Sequence, residues 1–197
     1  MSEEVILAHF IKNCAETRSQ SCNITFLKID KDGSYVETPR NYQSLWENGN
    51  KFAKATKEEG LSEGKSFALL MQNHAEFVDL MVASSINGTI YVPIDPRTKG
   101  QKLIYMIDFA DCEGVVCADY ALANLLDVKD QLPKLKWIWV LDTGVGLDLS
   151  DYTKTTNIQA RDFEEQEILA NDPMKPMQLM YTSGTTGDPK AIMAPYM

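Results

Sequence analysis

At about 150 residues per domain, a chain of 197 residues holds one large domain or one and a half small ones, enough to bury a core. Its 44% hydrophobic, 24% charged and 9% aromatic residues lie in the ordinary globular range and exclude a disordered, collagenous or coiled-coil chain. Lysine and arginine number 19 against 28 acids, a net charge of −9, so the clustered cations that neutralise a phosphate backbone are missing and no nucleic-acid partner is expected.

Residues 3 to 17 place Ile6, Leu7, Phe10, Ile11 and Cys14 on one helical face, with Ser2 in position to cap and two acids in the first turn. A hairpin is predicted next, from Thr25–Ile29 and Ser34–Thr38 around Asp32-Gly33, a pair that favours the left-handed backbone of tight turns. Leu45, Trp46, Gly49, Phe52 and Ala53 repeat at helical spacing up to Gly60, a glycine suited to ending a helix. From residue 66 short apolar runs alternate with helical segments, as in βαβ units on a parallel sheet. Strands are predicted at Phe67–Met71, Thr89–Val92, Gly114–Ala118 and Trp137–Leu141, and helices at Ala75–Ile86, Gly100–Ala110 and Tyr120–Asp127. The fold class is therefore α/β, a doubly wound, mostly parallel sheet with helices on both faces. Residues 142–172 carry eight acids against Lys154 and Arg161, with little periodicity, and are expected to form an acidic linker or surface loop spanning about 143–176. A strand resumes at Gln178–Tyr181, and a second apolar run follows at Ala191–Ala194.

The longest uncharged stretch, Leu80–Ile94, has 15 residues and is broken by Asn87, Gly88 and Pro93, short of the roughly 18 a membrane span needs. Met1-Ser2-Glu3-Glu4 is acidic where a secretory signal is basic. Cys14, Cys22, Cys112 and Cys117 form no Cys-x-x-Cys and have only His9 and His74 for company, so no metal site is expected; they read as reduced thiols of a cytoplasmic protein. His74 opens a helix and is expected to cap it or lie in solvent.

Between the last two apolar runs lies Thr182-Ser183-Gly184-Thr185-Thr186-Gly187-Asp188-Pro189-Lys190. Two glycines let backbone amides turn outward, four hydroxyls supply donors, and one lysine supplies a cation, which together describe a cradle for phosphate oxygens. This is not the Gly-x-x-x-x-Gly-Lys loop: counting from Gly184 puts Pro189 on the second glycine, where the missing amide hydrogen removes a donor. Gly144-Val145-Gly146 is likewise no dinucleotide fingerprint, because Leu147-Asp148-Leu149 follows.

In its order, Tyr181 to Lys190 resembles the phosphate-loop signature of the adenylate-forming enzymes: acyl- and aryl-CoA ligases, luciferases and peptide-synthetase adenylation domains. Leu61–Lys65 leading to Leu69–Asn73 and Glu76 resembles that family's first core strand and helix, and Asn87–Pro96 its second core motif, so the likeness runs from about Tyr42 to the last residue. Two departures stand out: Ala191 replaces the usual glycine after the loop lysine, and Tyr196 stands where a histidine is frequent, at the start of the substrate side.

The resemblance implies the amino-terminal portion of an acyl-CoA-synthetase-like large domain, with helix, hairpin and helix over 1–60, βαβ units over 61–142, and strand, phosphate loop and strand over 177–197. It also implies ATP, Mg2+ and coenzyme A as cofactors and co-substrates, and a small carboxylic acid as partner, while leaving a homo-oligomer open. Thr182, Ser183, Gly184, Thr185, Thr186, Gly187 and Lys190 are the implied ATP-phosphate contacts. No catalytic residue is assigned, because the family's acidic magnesium ligand, ribose-binding aspartate and lid lysine have no counterpart here, and the 197-residue chain is expected to be inactive alone. A free-standing carboxylic acid:CoA ligase is favoured by the helix and hairpin at the start; an adenylation domain and a non-catalytic nucleotide- or phosphate-binding module are the alternatives.

Overall fold

The computed structural model describes residues 5–29, 32–182 and 189–196. Helix α1 (Leu7–Arg18) leads into strands β1 (Cys22–Ile29) and β2 (Tyr35–Asn41), which pair antiparallel as a ribbon of their own. Asn41 then caps α2 (Tyr42–Glu58), its side-chain oxygen accepting the Ser44 amide at 2.8 Å. Strand β3 (Ser66–Leu70), α3 (Ala75–Asn87), β4 (Ile90–Ile94), α4 (Gly100–Phe109), β5 (Cys112–Ala118), α5 (Asp119–Leu126) and β6 (Trp137–Leu141) follow in strict alternation, interrupted by a 3-10 turn at Lys129–Gln131.

The main sheet has seven strands in the order β7-β6-β5-β3-β4-β8-β9. Strands β3 to β8 pair in parallel, while β9 (Lys190–Pro195) runs antiparallel to β8 (Pro176–Thr182) along one edge. Alternate residues of each strand point to opposite faces, which builds two cores. Phe67, Leu69, Tyr91, Val116 and Trp139 face α1, α2 and α3. Ala68, Leu70, Val92, Val115 and Val140 face α4 and α5. Because both faces are covered, β3 is buried along its whole length and reads, after Ser66, as an apolar run.

Two glycines are fixed by geometry. Gly88 ends α3 in the left-handed region at φ 63°, and Glu63 packs against it. Gly114 pairs with Trp137 across β5 and β6, and any Cβ there would overlap the indole. That vacancy lets Trp137 lie 4.6 Å from Trp139 and 6.3 Å from Phe67, centroid to centroid.

Three expectations need correction. The first helix starts at Leu7, with Ile6 in the cap position and no side-chain cap, and Phe10 is exposed on it rather than buried; Ser2, Glu3 and Glu4 lie outside the described residues. Residues 142–172 are not simply a solvated linker. They add the edge strand β7 (Thr153–Lys154), parallel to β6, and helix α6 (Thr155–Gln159), which buries Ile158 completely.

From there the chain runs as a strap over the helices: Leu169 donates to the Ile86 carbonyl, Gln166 donates to Asn50 Oδ1, and Glu164 and Glu165 pair with Lys54 and Lys12. The acids face helix lysines and the backbone meets buried polar groups, which explains a segment that is rich in charge yet ordered. Finally, His74 does occupy the N-cap position of α3, but without a side-chain cap bond, and its ring is half-buried against Tyr120 rather than free in solvent.

Candidate functional site

Parallel pairing brings the carboxyl ends of β3, β4, β5, β6 and β8 to one edge, where ligands of open α/β sheets bind. Strand β8 ends there at Thr182 and β9 begins at Lys190, directly opposite in the ladder. The connection bearing the candidate cradle therefore leaves and re-enters the sheet at this edge. Both flanking side chains are exposed, and the Thr182 hydroxyl donates to the Lys190 carbonyl at 3.4 Å. Ser183, Gly184, Thr185, Thr186 and Gly187 lie outside the described residues. Tyr181 anchors the approach: its hydroxyl donates to the Met106 carbonyl at 2.7 Å, tying β8 to α4, and burial pushes its phenol up.

The strand order reverses between β3 and β5, a second place where such sheets hold ligands. Here Tyr120 closes the gap. Its hydroxyl accepts the Gln72 amide at 2.8 Å and lies 3.0 Å from His74 Nε2, joining the turn after β3 to the start of α5. Burial lowers the His74 pKa, so the imidazole is neutral at pH 7.

Beside it, Asp119 accepts bonds from the Tyr120 amide, from the Thr143 amide and hydroxyl, and from the Val145 amide. Burial works to raise its pKa, but these bonds outweigh it and the net direction is down. Asp119 thus fastens the turns after β5 and β6 together. After β4, the Arg97 guanidinium grips Asp95 on both carboxylate oxygens and holds its pKa at about 2.

None of Asp119, Tyr120 and His74 was assigned to this edge from sequence; the available signal was an acid and an aromatic directly after an apolar strand. Among the described residues there is no group of three or more His, Cys, Asp or Glu side chains that could hold a metal ion.

Two cavities flank the sheet. One of about 860 Å³ lies between the β1–β2 ribbon and the turn after β3, with Phe26, Leu27 and Arg40 on one side and Gln72, His74 and Glu76 on the other. The second, of about 540 Å³, is apolar and lined by Phe10, Met81, Tyr91, Met177 and Tyr196, whose buried hydroxyl has no partner among the described residues. No helix among the described residues is long and apolar enough to cross a membrane.

A family model described as AMP-binding enzyme matches residues 19–196. Surfactin synthase subunit 3 of Bacillus subtilis (strain 168) is 32% identical over 163 residues, which are 80% of this chain and 11% of that protein. 4-Hydroxybutyrate–CoA ligase 2 of Metallosphaera sedula is 27% identical over 165 residues, 81% of this chain and 30% of the relative. In fold, acetoacetyl-CoA synthetase from Streptomyces lividans superposes with a TM-score of 0.83 at 17% identity, over 96% of this chain and 30% of that one. An anthranilate CoA ligase solved with anthranoyl-AMP gives 0.81 at 21% identity, over 96% of this chain and 34% of that one. The chain spans about a third or less of the length of each of these proteins.

Proposed function

Because the chain belongs to the AMP-binding enzyme family, we propose that it forms part of an ATP-dependent carboxylic acid:CoA ligase in which Thr182, Ser183, Gly184, Thr185, Thr186, Gly187 and Lys190 hold the β- and γ-phosphates of ATP. The observation that carries this reading is the pairing of Thr182 with Lys190 at the carboxyl edge of the sheet, so that the connection between them begins and ends at the edge where open α/β sheets bind their ligands.

In the first step a substrate carboxylate oxygen attacks the α-phosphorus of ATP; the bond to the β-phosphate oxygen breaks, giving acyl-adenylate and pyrophosphate. In the second, the coenzyme A thiol, losing its proton, attacks the acyl carbon and AMP leaves. Positioning and charge neutralisation dominate such phosphoryl displacements. On this reading the Lys190 ammonium, the hydroxyls and the turned amides stabilise the charge that grows on departing pyrophosphate. ATP enters with its magnesium ion as substrate, and no step is routed through a metal ligand of this chain.

A second reading, an amino-acid adenylation domain, is favoured by the 32% identity with surfactin synthase subunit 3. ATP–pyrophosphate exchange, measured with a panel of carboxylic and amino acids on a protein spanning the length of the relatives, followed by thioester formation with coenzyme A, tests both. Exchange with a carboxylic acid and transfer to coenzyme A is the expected result, and exchange with amino acids alone selects the second reading. Absence of exchange with any acid favours a non-catalytic nucleotide-binding module. The 197-residue chain by itself is expected to form no acyl-adenylate.

A further inference from the structure

The β1–β2 ribbon shares no ladder with the main sheet, and most of its residues are exposed. Among the described side chains its one ion pair to the rest of the molecule is Arg40 of β2 with Asp79 of α3, Nη2 to Oδ2 at 3.8 Å. Asp79 is fully buried. Its Oδ2 also faces Asn48 of α2 at 3.1 Å and Gln159 of α6 at 3.4 Å, while among the described residues Oδ1 has no donor and the buried Arg40 Nε has no acceptor. A buried carboxylate with one idle oxygen, beside a partly exposed guanidinium whose buried Nε is idle, is under-satisfied in either protonation state. The neighbouring cavity does not resolve this with a ligand, since Arg40 is set there against Glu76 and a neutral His74.

We propose that Asp79 and Arg40 form a proton-controlled latch that seats the β1–β2 ribbon against α3 and so sets the width of the cavity beside the turn after β3. The charged or polar groups facing Asp79 are Arg40 from β2, Glu76 from its own helix, Asn48 from α2 and Gln159 from α6. Burial pushes the carboxyl up to about 7 and Glu76 adds to the rise, while Arg40 opposes it, so the group titrates near neutrality.

Of the groups around Asp79 only Arg40 belongs to the ribbon. Lifting the ribbon removes the one attraction from a full positive charge and leaves the cover of α2, α3 and α6 in place. Seating therefore favours the ionised carboxylate, and the ribbon tightens as pH rises. Whole-molecule stability moves the other way. A carboxyl whose folded pKa is raised from its ordinary 3.8 contributes stability that is full below pH 4 and is lost as pH rises through about 7.

Amide hydrogen exchange of β1 and β2, corrected for the intrinsic rate at pH 5.5 and 8.5, tests this on the 197-residue chain. Protection about five- to tenfold greater at the higher pH is expected, the scale of one partly buried ion pair. Both Asp79→Asn and Arg40→Gln should abolish the pH dependence, and the second variant leaves the buried carboxyl intact should the first fail to fold. In parallel, the denaturant midpoint of the unmodified chain should fall between pH 5.5 and 8.5. Equal protection at the two pH values, loosening at the higher pH, or a pH dependence that survives Arg40→Gln would overturn the latch.

Discussion

Lys190 is the one cation of the candidate cradle, and its role can be isolated because pyrophosphate departs only in the first half-reaction. In the full ligase, Lys190→Ala should slow adenylate formation by about thirty- to a thousandfold, the 2 to 4 kcal/mol typical of a charged contact to a developing anion. Thioester formation from preformed adenylate should be nearly untouched. Thr185→Ala should cost less, since a neutral hydroxyl bonds more weakly than a full charge. Equal slowing of the two half-reactions in Lys190→Ala, read in single-turnover assays, would remove the lysine from the phosphates. At the same scale, Asp119 and Asp79 show opposite uses of a carboxylate. Asp119 accepts bonds on both oxygens and its pKa is held down, whereas Asp79, among the described residues, accepts on one oxygen alone and burial pushes its pKa up to about 7.

Among the elements, the least expected is α6 with the strap that follows. Ile158 is fully exposed to the core face and fully hidden from water, between the sheet and α2. Ile158→Ala should therefore cost roughly 2 to 4 kcal/mol, read as a lowered urea midpoint with unchanged slope. A loss under about 0.5 kcal/mol would return the segment to the status of a surface loop.

The alternating strands and helices from Phe67 to Leu141 were legible because parallel strands buried on both faces are apolar throughout, and each is closed by a glycine, a proline or a polar turn. The strap was not legible because its contacts are made by backbone amides, such as those of Gln166 and Leu169, and by single apolar residues without a period. The cradle is a reading of residue order alone, and the structure adds only the sheet edge at which its flanking residues Thr182 and Lys190 lie. Asp79 was invisible for another reason: its helix reads as apolar, and its partners come from residues 40, 48 and 159, which only the tertiary fold brings together.

Taken whole, the molecule is assembled from one compact run of neighbouring strands and one distant pair. The ladder between β4 and β8 is recorded at Tyr91 with Gln178 alone, whereas β3 and β4 match over five residues. Strands β8 and β9, by contrast, are joined by a short connection and pair locally. The outer strand of that pair leaves Ile192 and Met193 about half or more exposed on an unpaired edge.

In kinetic terms, the β8–β9 hairpin can form early by itself, but its attachment must wait until a long intervening stretch has folded back, and contacts so distant in sequence close slowly. During that wait the apolar edge is available to other chains, so refolding yield should drop as protein concentration rises, with light scattering growing in the same phase. Yield independent of concentration would show that the hairpin docks before it can meet a second copy. The strand pair that flanks the proposed phosphate loop is thus also the part of the chain whose arrival on the sheet decides between folding and aggregation.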